Sequence, residues 1–206
     1  MEARTTDLSD LYPEGEALPM VFKSFGGRAR FAGRVRTLRV FEDNALVRKV
    51  LEEEGAGQVL FVDGGGSLRT ALLGGNLARL AWERGWAGVV VHGAVRDTEE
   101  LRGVPIGLLA LAATPKKSAK EGKGEVDVPL KVLGVEVLPG SFLLADEDGL
   151  LLLPEPPSGV RSGGQIGADE TRYPQEIARD ASFALAGAWL WWRPRSLASL
   201  DRMLFA

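Results

Sequence analysis

The chain contains no cysteine and a single histidine, His92, among its 206 residues. Without thiols there is no disulfide framework and no thiolate metal centre, so any metal is left to oxygen ligands. An excess of one charge sign is also missing. Twenty-five lysines and arginines stand against 28 acids, for a formal charge of -3 with the signs interspersed. No basic stripe is present to meet a phosphate backbone, which argues against nucleic acid as the partner; an acidic small molecule would need a local cluster of cations. Long apolar runs are absent too. The longest near the end, residues 183–192, has ten residues, and a bilayer span needs about 20, so no membrane association is expected. Residues 1–10 are polar and acidic and lack the apolar segment of a secretory leader. These absences point to a cytoplasmic chain.

What is present is ample apolar material, 45% of the residues, enough for one domain with a sizeable core and an appendage. Residues 6–11 read as a short helical turn. Residues 31–40 alternate apolar with polar side chains, the pattern of a strand with one face on a core and a row of arginines outward. Asp43 or Asn44 can cap a helix over 45–54, whose stripe of Leu46, Val47, Val50 and Leu51 stops at Gly55. Residues 59–62 form an inner strand that runs into Gly64-Gly65-Gly66, a tight turn without the spacing of a nucleotide loop. A helix follows from Gly74, with Leu77, Leu80, Ala81 and Trp82 on one face and Gly85 at its end. Residues 87–91 make a buried strand that leaves through His92 toward Arg96-Asp97. Strand, helix, strand, helix, strand is the signature of an α/β fold with right-handed crossovers.

Beyond Arg102 short strands at 106–113, 130–133, 135–138, 142–145 and 150–153 predict a second, β-rich layer. Residues 116–125, rich in charge, form a solvated loop long enough to cover a site or to reach a neighbouring subunit. After Pro154 the pattern breaks at Pro156-Pro157-Ser158-Gly159. The expected organisation is one domain over 1–154 and a linker with a C-terminal extension over 155–206, where residues 183–192 read either as a helix docked on an apolar patch or as an unstructured extension and Trp189, Trp191 and Trp192 as packing residues.

The chemistry concentrates between Gly74-Gly75-Asn76-Leu77 and Arg96-Asp97, the two ends of one helix-turn-strand unit. Glycines at a helix start let backbone N–H groups approach an anion. Arg96 offers a planar fork for a carboxylate, and Asp97 offers an oxygen ligand for a hard cation. Asp97-Thr98-Glu99-Glu100 reads equally as a capping box, with Asp97 at the cap and Glu100 three residues on. His92, where a strand meets Gly93, reads as structural.

The runs Phe25-Gly26-Gly27-Arg28, Phe31-Ala32-Gly33, Phe41-Glu42-Asp43-Asn44, Val62-Asp63-Gly64-Gly65-Gly66-Ser67, Gly93-Ala94-Val95-Arg96 and Ala145-Asp146-Glu147-Asp148-Gly149 together carry a family likeness. Over about residues 6–154 the chain resembles the family of the regulator of ribonuclease E activity A and the metal-dependent 4-hydroxy-4-methyl-2-oxoglutarate aldolases. The family's signature of a glycine, twenty residues, Arg-Asp, two residues and an acid is met by Gly75, Arg96, Asp97 and Glu100. Members like the ribonuclease regulator lose the aspartate, which this chain keeps. The resemblance implies a three-layer β/β/α, swivelling-domain-like fold, assembled as a ring-shaped homotrimer with sites between subunits.

It further implies a lyase that splits 4-hydroxy-4-methyl-2-oxoglutarate into two pyruvates and, through the same pyruvate enolate, decarboxylates oxaloacetate. Asp97 would hold Mg²⁺ or Mn²⁺, Arg96 would pair with the keto-acid, and the backbone of Gly74, Gly75, Asn76 and Leu77 would receive its carboxylate. Lys116, Lys117, Lys120 and Lys123 lie in the charged loop and Lys131 alternates outward, which is unlike a desolvated Schiff-base lysine. The chain departs from the pattern at Gly75, where some family aldolases carry an acid. A further acid is expected from the neighbouring subunit's C-terminal segment, with Glu155, Glu170 and Glu176 all open. Two other functions are weighed: a non-catalytic protein that binds and inhibits ribonuclease E, and a quinone methyltransferase suggested by residues 62–66. Against the methyltransferase, position 67 is Ser and no acid follows Val89-Val90-Val91.

Overall fold

The computed structural model describes residues 4–158. The extension beyond them, with Glu170, Glu176 and the tryptophans at 189, 191 and 192, lies outside the described residues. In chain order the elements are α1 (Thr5–Leu11), β1 (Glu16–Pro19), β2 (Lys23–Ser24), β3 (Phe31–Arg39), α2 (Ala45–Leu51), β4 (Val59–Asp63), β5 (Ala71–Leu73) and α3 (Gly75–Glu83). There follow β6 (Gly88–Val95), α4 (Thr98–Gly103), β7 (Gly107–Ala113), β8 (Glu125–Val126), β9 (Leu130–Val132), β10 (Val135–Val137), β11 (Phe142–Ala145) and β12 (Gly149–Leu153). None of the described helices is long and apolar enough to cross a membrane.

Strands β3, β4, β6 and β7 lie side by side and parallel, as the alternation of strands and helices requires. Being covered on both faces, they are near-continuous apolar runs, and residues 88–91 are buried without a gap. The first half of β3 turns to a different partner. Phe31 to Arg34 pair antiparallel with β11, while Val35 to Arg39 pair with β4, so this one strand belongs to two sheets. Beyond β11, β12 and β1 complete the second sheet.

Period-two alternation divides each parallel strand between two cores. Leu38, Leu60, Val62, Val89 and Val91 meet Val47, Leu51, Ala78, Ala81 and Leu101 of the helices. Val35, Val59, Phe61, Val90 and Leu109 face the other way, onto Leu143, Ala145, Leu150 and Leu152 of the second sheet. Helices on sheet on sheet is the expected β/β/α layering. Helix α1 adds a cover over the outer face through Leu8, which packs with Phe142, Leu144 and Leu151.

Several boundaries differ from expectation. The strand expected at 87–91 continues as β6 to Val95, because β5 supplies a ladder partner there. Strand β7, expected to open the second layer, extends the parallel sheet instead. Helix α2 stops at Leu51 rather than at 54. Trp82 is 48% exposed, so the buried stripe of α3 is Leu77, Ala78 and Ala81. The arginines of β3 are engaged rather than simply outward: Arg36 binds Asp127 at 2.7 Å and Glu53 at 3.1 Å. Desolvation opposes its charge, but these carboxylates, the Asp127 hydrogen bond most of all, raise its pKa.

Between the sheets the Phe31 ring lies across the paired glycines Gly88 and Gly107. A Cβ at Gly107 would come within 2.0 Å of that ring and one at Gly88 within 2.3 Å. Since Phe31 is itself buried, Gly107→Ala is expected to destabilise the chain by about 1–3 kcal/mol, the usual cost of overpacking, read as a lower urea midpoint at unchanged slope.

Asp146, 4% exposed, ties α1 to the turn between β11 and β12. The Thr5 amide donates to Oδ2 at 2.8 Å and the Thr5 hydroxyl to Oδ1 at 2.7 Å. Burial pushes the Asp146 pKa up, but these donors and the amides of Asp148 and Gly149 outweigh it and leave it lowered. A carboxylate held below its unfolded value of about 3.9 stabilises the fold above that pH and stops doing so as pH falls through the folded value. Urea midpoints are therefore expected to drop on acidification below about pH 4, with a shallower drop in Asp146→Asn than in the parent chain.

Candidate active site

Strand β4 leaves the sheet at Asp63 and turns through Gly65 and Gly66, whose φ angles of 64° and 71° suit glycine. Strand β5 then takes the place along β6 that β4 has vacated. Residues of β4 pair with β6 only as far as His92, whereas Ala71 pairs with Ala94 and Leu73 with Val95. The Arg96 amide extends the ladder onto the Leu73 carbonyl at 2.9 Å. Two chain exits therefore run side by side: Gly74 and Gly75 into α3, and Arg96 and Asp97 into α4.

Asp97 has φ 58° and ψ 44°, a left-handed conformation, and its side chain makes no cap hydrogen bond to α4. The capping box with Glu100 is not formed. The carboxylate turns instead toward the glycines, where Oδ2 accepts from the Gly75 amide and from Arg96 Nε, each at 3.3 Å. Both contacts are long, and the Arg96 and Asp97 side chains are 39% and 36% exposed, so the pair remains open to a ligand. The close approach depends on Gly74, where a Cβ would stand 2.6 Å from Asp97 Oδ2 and 3.1 Å from Arg96 Cγ. At Gly75 a Cβ would meet Glu100 Oε2 at 2.2 Å.

A cavity of about 250 Å³ opens here. Of the residues read from the sequence, Gly74, Asn76, Leu77, Arg96 and Asp97 line it, whereas Gly75 and Glu100 do not. Glu100 sits 4.0 Å from Arg79. The Leu77 amide is already committed to the Gly74 carbonyl at 3.0 Å, which leaves Asn76 to supply the first-turn donor. The sequence reading missed Asn44, Arg48, Lys117, Ser118 and Lys120, which complete the wall. One signal could have found them: parallel strands deliver their carboxyl ends to a single edge of the sheet, so the segments after β3 and β7 belong beside those after β5 and β6.

Charge distinguishes this cavity from the larger one beside it. Arg48, Arg96, Lys117 and Lys120 share the lining of the small cavity with a single carboxylate, Asp97, although Arg48 also stands 3.7 Å from Glu52 on its own helix. The larger, about 810 Å³, shares Lys117, but acids are as plentiful as cations along its lining, with Glu42, Asp43, Asp63, Glu121 and Glu125 beside Arg39, Lys116, Lys117 and Lys123. A small dianion is thus favoured in the first. Among the described residues no group of three or more acids or histidines gathers that could cage a metal. Asp97 alone offers a cation one carboxylate, a donor set that fits a hard ion such as Mg²⁺, which keeps water and takes further oxygens from substrate.

The Gly64–Gly66 turn has no amide to offer a cofactor. The amides of Gly64 and Gly66 donate to the His92 carbonyl at 3.0 and 3.1 Å, and that of Gly65 to Asp63 Oδ1 at 2.9 Å. His92 holds the same aspartate through Nδ1 at 2.9 Å and packs edge-on to Phe22. Desolvation pushes Asp63 up, but the His92 and Gly65 hydrogen bonds leave its pKa lowered. The histidine is structural.

With that geometry in view, comparison with known proteins places the chain in a family. The family model RraA-like (Aldolase/RraA) matches residues 5–152, and the chain belongs to this family. A Thermus thermophilus protein named 4-hydroxy-4-methyl-2-oxoglutarate aldolase is 99% identical over 164 residues, 80% of this chain and 100% of that protein. A solved structure described as the RNA-processing inhibitor RraA from Thermus matches with TM-score 0.76 and 98% identity, covering 80% of this chain and all of the other. Another, described as an S-adenosylmethionine:2-dimethylmenaquinone methyltransferase from Geobacillus kaustophilus, matches with TM-score 0.75 and 44% identity over 77% of this chain and 99% of its own. Three functions are thus attached to one fold, and only the site can choose among them.

Gly74→Ala tests the approach of the two exits. It is expected to leave the thermal midpoint within about 3 °C while lowering kcat/KM by about tenfold or more, as a misplaced reactive group does, measured by pyruvate release from a keto-diacid.

Proposed function

We propose that the chain is a divalent-metal-dependent aldolase that cleaves 4-hydroxy-4-methyl-2-oxoglutarate into two pyruvates and decarboxylates oxaloacetate. The observation that carries this reading is the Arg96-Asp97 pair set against Gly74 at the mouth of a cavity rich in cations. A keto-diacid brings two carboxylates, and Arg96 with Arg48, Lys117 and Lys120 supplies the opposing charge. The Asn76 amide at the start of α3 is placed for one carboxylate oxygen.

In the cleavage the C4 hydroxyl gives up its proton, the C3–C4 bond breaks, and the bonding pair passes into the enolate of the first pyruvate. That enolate then takes a proton at C3, and C4 leaves as the carbonyl of the second pyruvate. Arg96 lies where negative charge grows on the 2-oxo oxygen, and a guanidinium fixed in place beforehand stabilises that charge without reorganising. Decarboxylation of oxaloacetate frees carbon dioxide in place of the second pyruvate and needs the same stabilisation. Mg²⁺ or Mn²⁺ held by Asp97 would supply a Lewis acid that polarises the 2-oxo group. Glu100 serves behind Gly75, limiting how that turn moves.

A single carboxylate per site also supports a homotrimer in which a neighbouring subunit contributes another acid. Of the three acids considered, Glu155 binds Arg34 of its own chain at 2.8 Å, while Glu170 and Glu176 lie outside the described residues. We place residues 1–154 as the catalytic domain, 155–206 as an appended segment, and the protein in the cytoplasm. The relative described as an RNA-processing inhibitor supports a second reading, binding of ribonuclease E through the surface. A pull-down with the purified nuclease tests it.

Asp97→Asn is the discriminating variant, since asparagine tolerates the left-handed backbone while removing the charge. Pyruvate release from either substrate is expected to need added Mg²⁺ or Mn²⁺, to stop with chelator, and to fall at least about a hundredfold in Asp97→Asn. Full turnover by that variant, or by chelated protein, would overturn the assignment.

A further inference from the structure

The loop that brings Lys117 and Lys120 to the cavity is rich in charge, yet it is pegged along its length. The Ala71 amide donates to the Lys116 carbonyl at 2.8 Å, and the buried Ser118 hydroxyl donates to the Ala71 carbonyl at 2.6 Å. The Ala119 amide donates to the Glu42 carbonyl at 2.9 Å, and the Asn44 amide to the Ala119 carbonyl at 3.1 Å. Past Ala119 a side chain takes over from the backbone. The amides of Glu121 and Gly122 both donate to Asp43 Oδ2, at 2.6 and 3.0 Å. The other oxygen, Oδ1, accepts the amide of Ala45, the first residue of α2, at 2.9 Å.

Asp43 is 3% exposed and does not line the small cavity, but the residues on both sides of its grip do. Asn44, Ala45 and Arg48 come from the α2 side; Lys117, Ser118 and Lys120 come from the loop. Lys120 sits between two anchors, the backbone bridge at Ala119 and the carboxylate bonds at Glu121 and Gly122.

We propose that Asp43 is a positioning residue, whose carboxylate ties the 116–123 loop to the start of α2 and so holds Lys120 and Arg48 on one wall for the substrate's second carboxylate. The proposal rests on the lyase reading of the site. Burial pushes the Asp43 pKa up, but the amides of Ala45, Glu121, Gly122 and Lys123 outweigh it and leave it lowered, so the group acts as a carboxylate with N–H donors on both oxygens. Without it the amides of Ala45, Glu121 and Gly122 lose their acceptor, which a neutral side chain of the same shape can only partly replace.

The test compares the full chain with Asp43→Asn and Asp43→Ala, assayed with divalent ion on 4-hydroxy-4-methyl-2-oxoglutarate and on 4-hydroxy-2-oxopentanoate, which lacks the second carboxylate. In Asp43→Ala the KM for the diacid is expected to rise about tenfold with kcat within about twofold, while the KM for the monoacid stays put. Asp43→Asn, which keeps one acceptor oxygen, is expected to fall between the two. Amide hydrogen exchange is expected to quicken at Glu121 and Gly122 in the variants and to stay unchanged in β6. Equal KM changes for both substrates, unchanged diacid KM, or unchanged exchange in the loop would overturn the proposal. Should Asp43→Ala fail to fold, Asp43→Asn decides by the same criteria. Absence of turnover by the parent chain on any keto-diacid would instead overturn the lyase reading and the substrate role with it, while the exchange measurement still reports the clamp.

Discussion

The hydrogen bond from the Arg96 amide to the Leu73 carbonyl, 2.9 Å long, sets the register on which the site depends. It closes the short ladder between β5 and β6 and stops both strands at the same level. One residue further on, the two chains turn into helices, and their side chains meet only because Gly74 has none. Asp97 is left in a left-handed conformation that costs an ordinary residue roughly 1–3 kcal/mol. The flanking ladder and α4 hold it there. A slip of one residue would send Arg96 and Asp97 to opposite faces and separate the guanidinium from the glycines.

Local charge then does what the overall charge cannot. The chain is slightly acidic, and several of its described surface cations stand within reach of an acid, as Arg30 does of Glu147 and Arg39 of Glu125. Around the small cavity the balance reverses, with Arg48, Arg96, Lys117 and Lys120 against Asp97. Low-dielectric walls focus such a local excess, so a dianion is drawn to the site of a protein whose net charge repels it.

Much of this was legible in the residues. Alternation along β3, the β-branched run 89–91 and the glycines at 74–75 and 85 give strands and helix, because apolar periodicity and glycine act locally, whereas the layer order came with the family likeness. The Arg-Asp pair and the glycines opposite were legible as well, through the family likeness. What was not legible came from distant contacts. Nothing near Asp97 says that its side chain abandons the cap for Gly75, since that choice is made by β5 arriving beside β6. Lysines in a charged loop read as solvated, and the bonds that fix that loop come from Glu42, Asp43 and Ala71, more than forty residues away. Trp82 belongs to the helix stripe by spacing, yet the helix is rotated so that Leu77, Ala78 and Ala81 take the core.

Strand β3 joins two sheets, and this constrains the order in which the molecule can be made. Its first half finds a partner only in β11, with Phe31 opposite Ala145, while its second half can pair with β4 once residue 63 has left the ribosome. During translation the helical layer can assemble early around β3, β4 and β6. The Phe31 end must wait, unpaired and apolar, until the last strands leave the ribosome. Loop closure over such a span is slow and leaves an open edge that invites association with other nascent chains. Tethering of Thr5 by Asp146 comes at the same late moment, so the native state is locked from both termini of the domain at once.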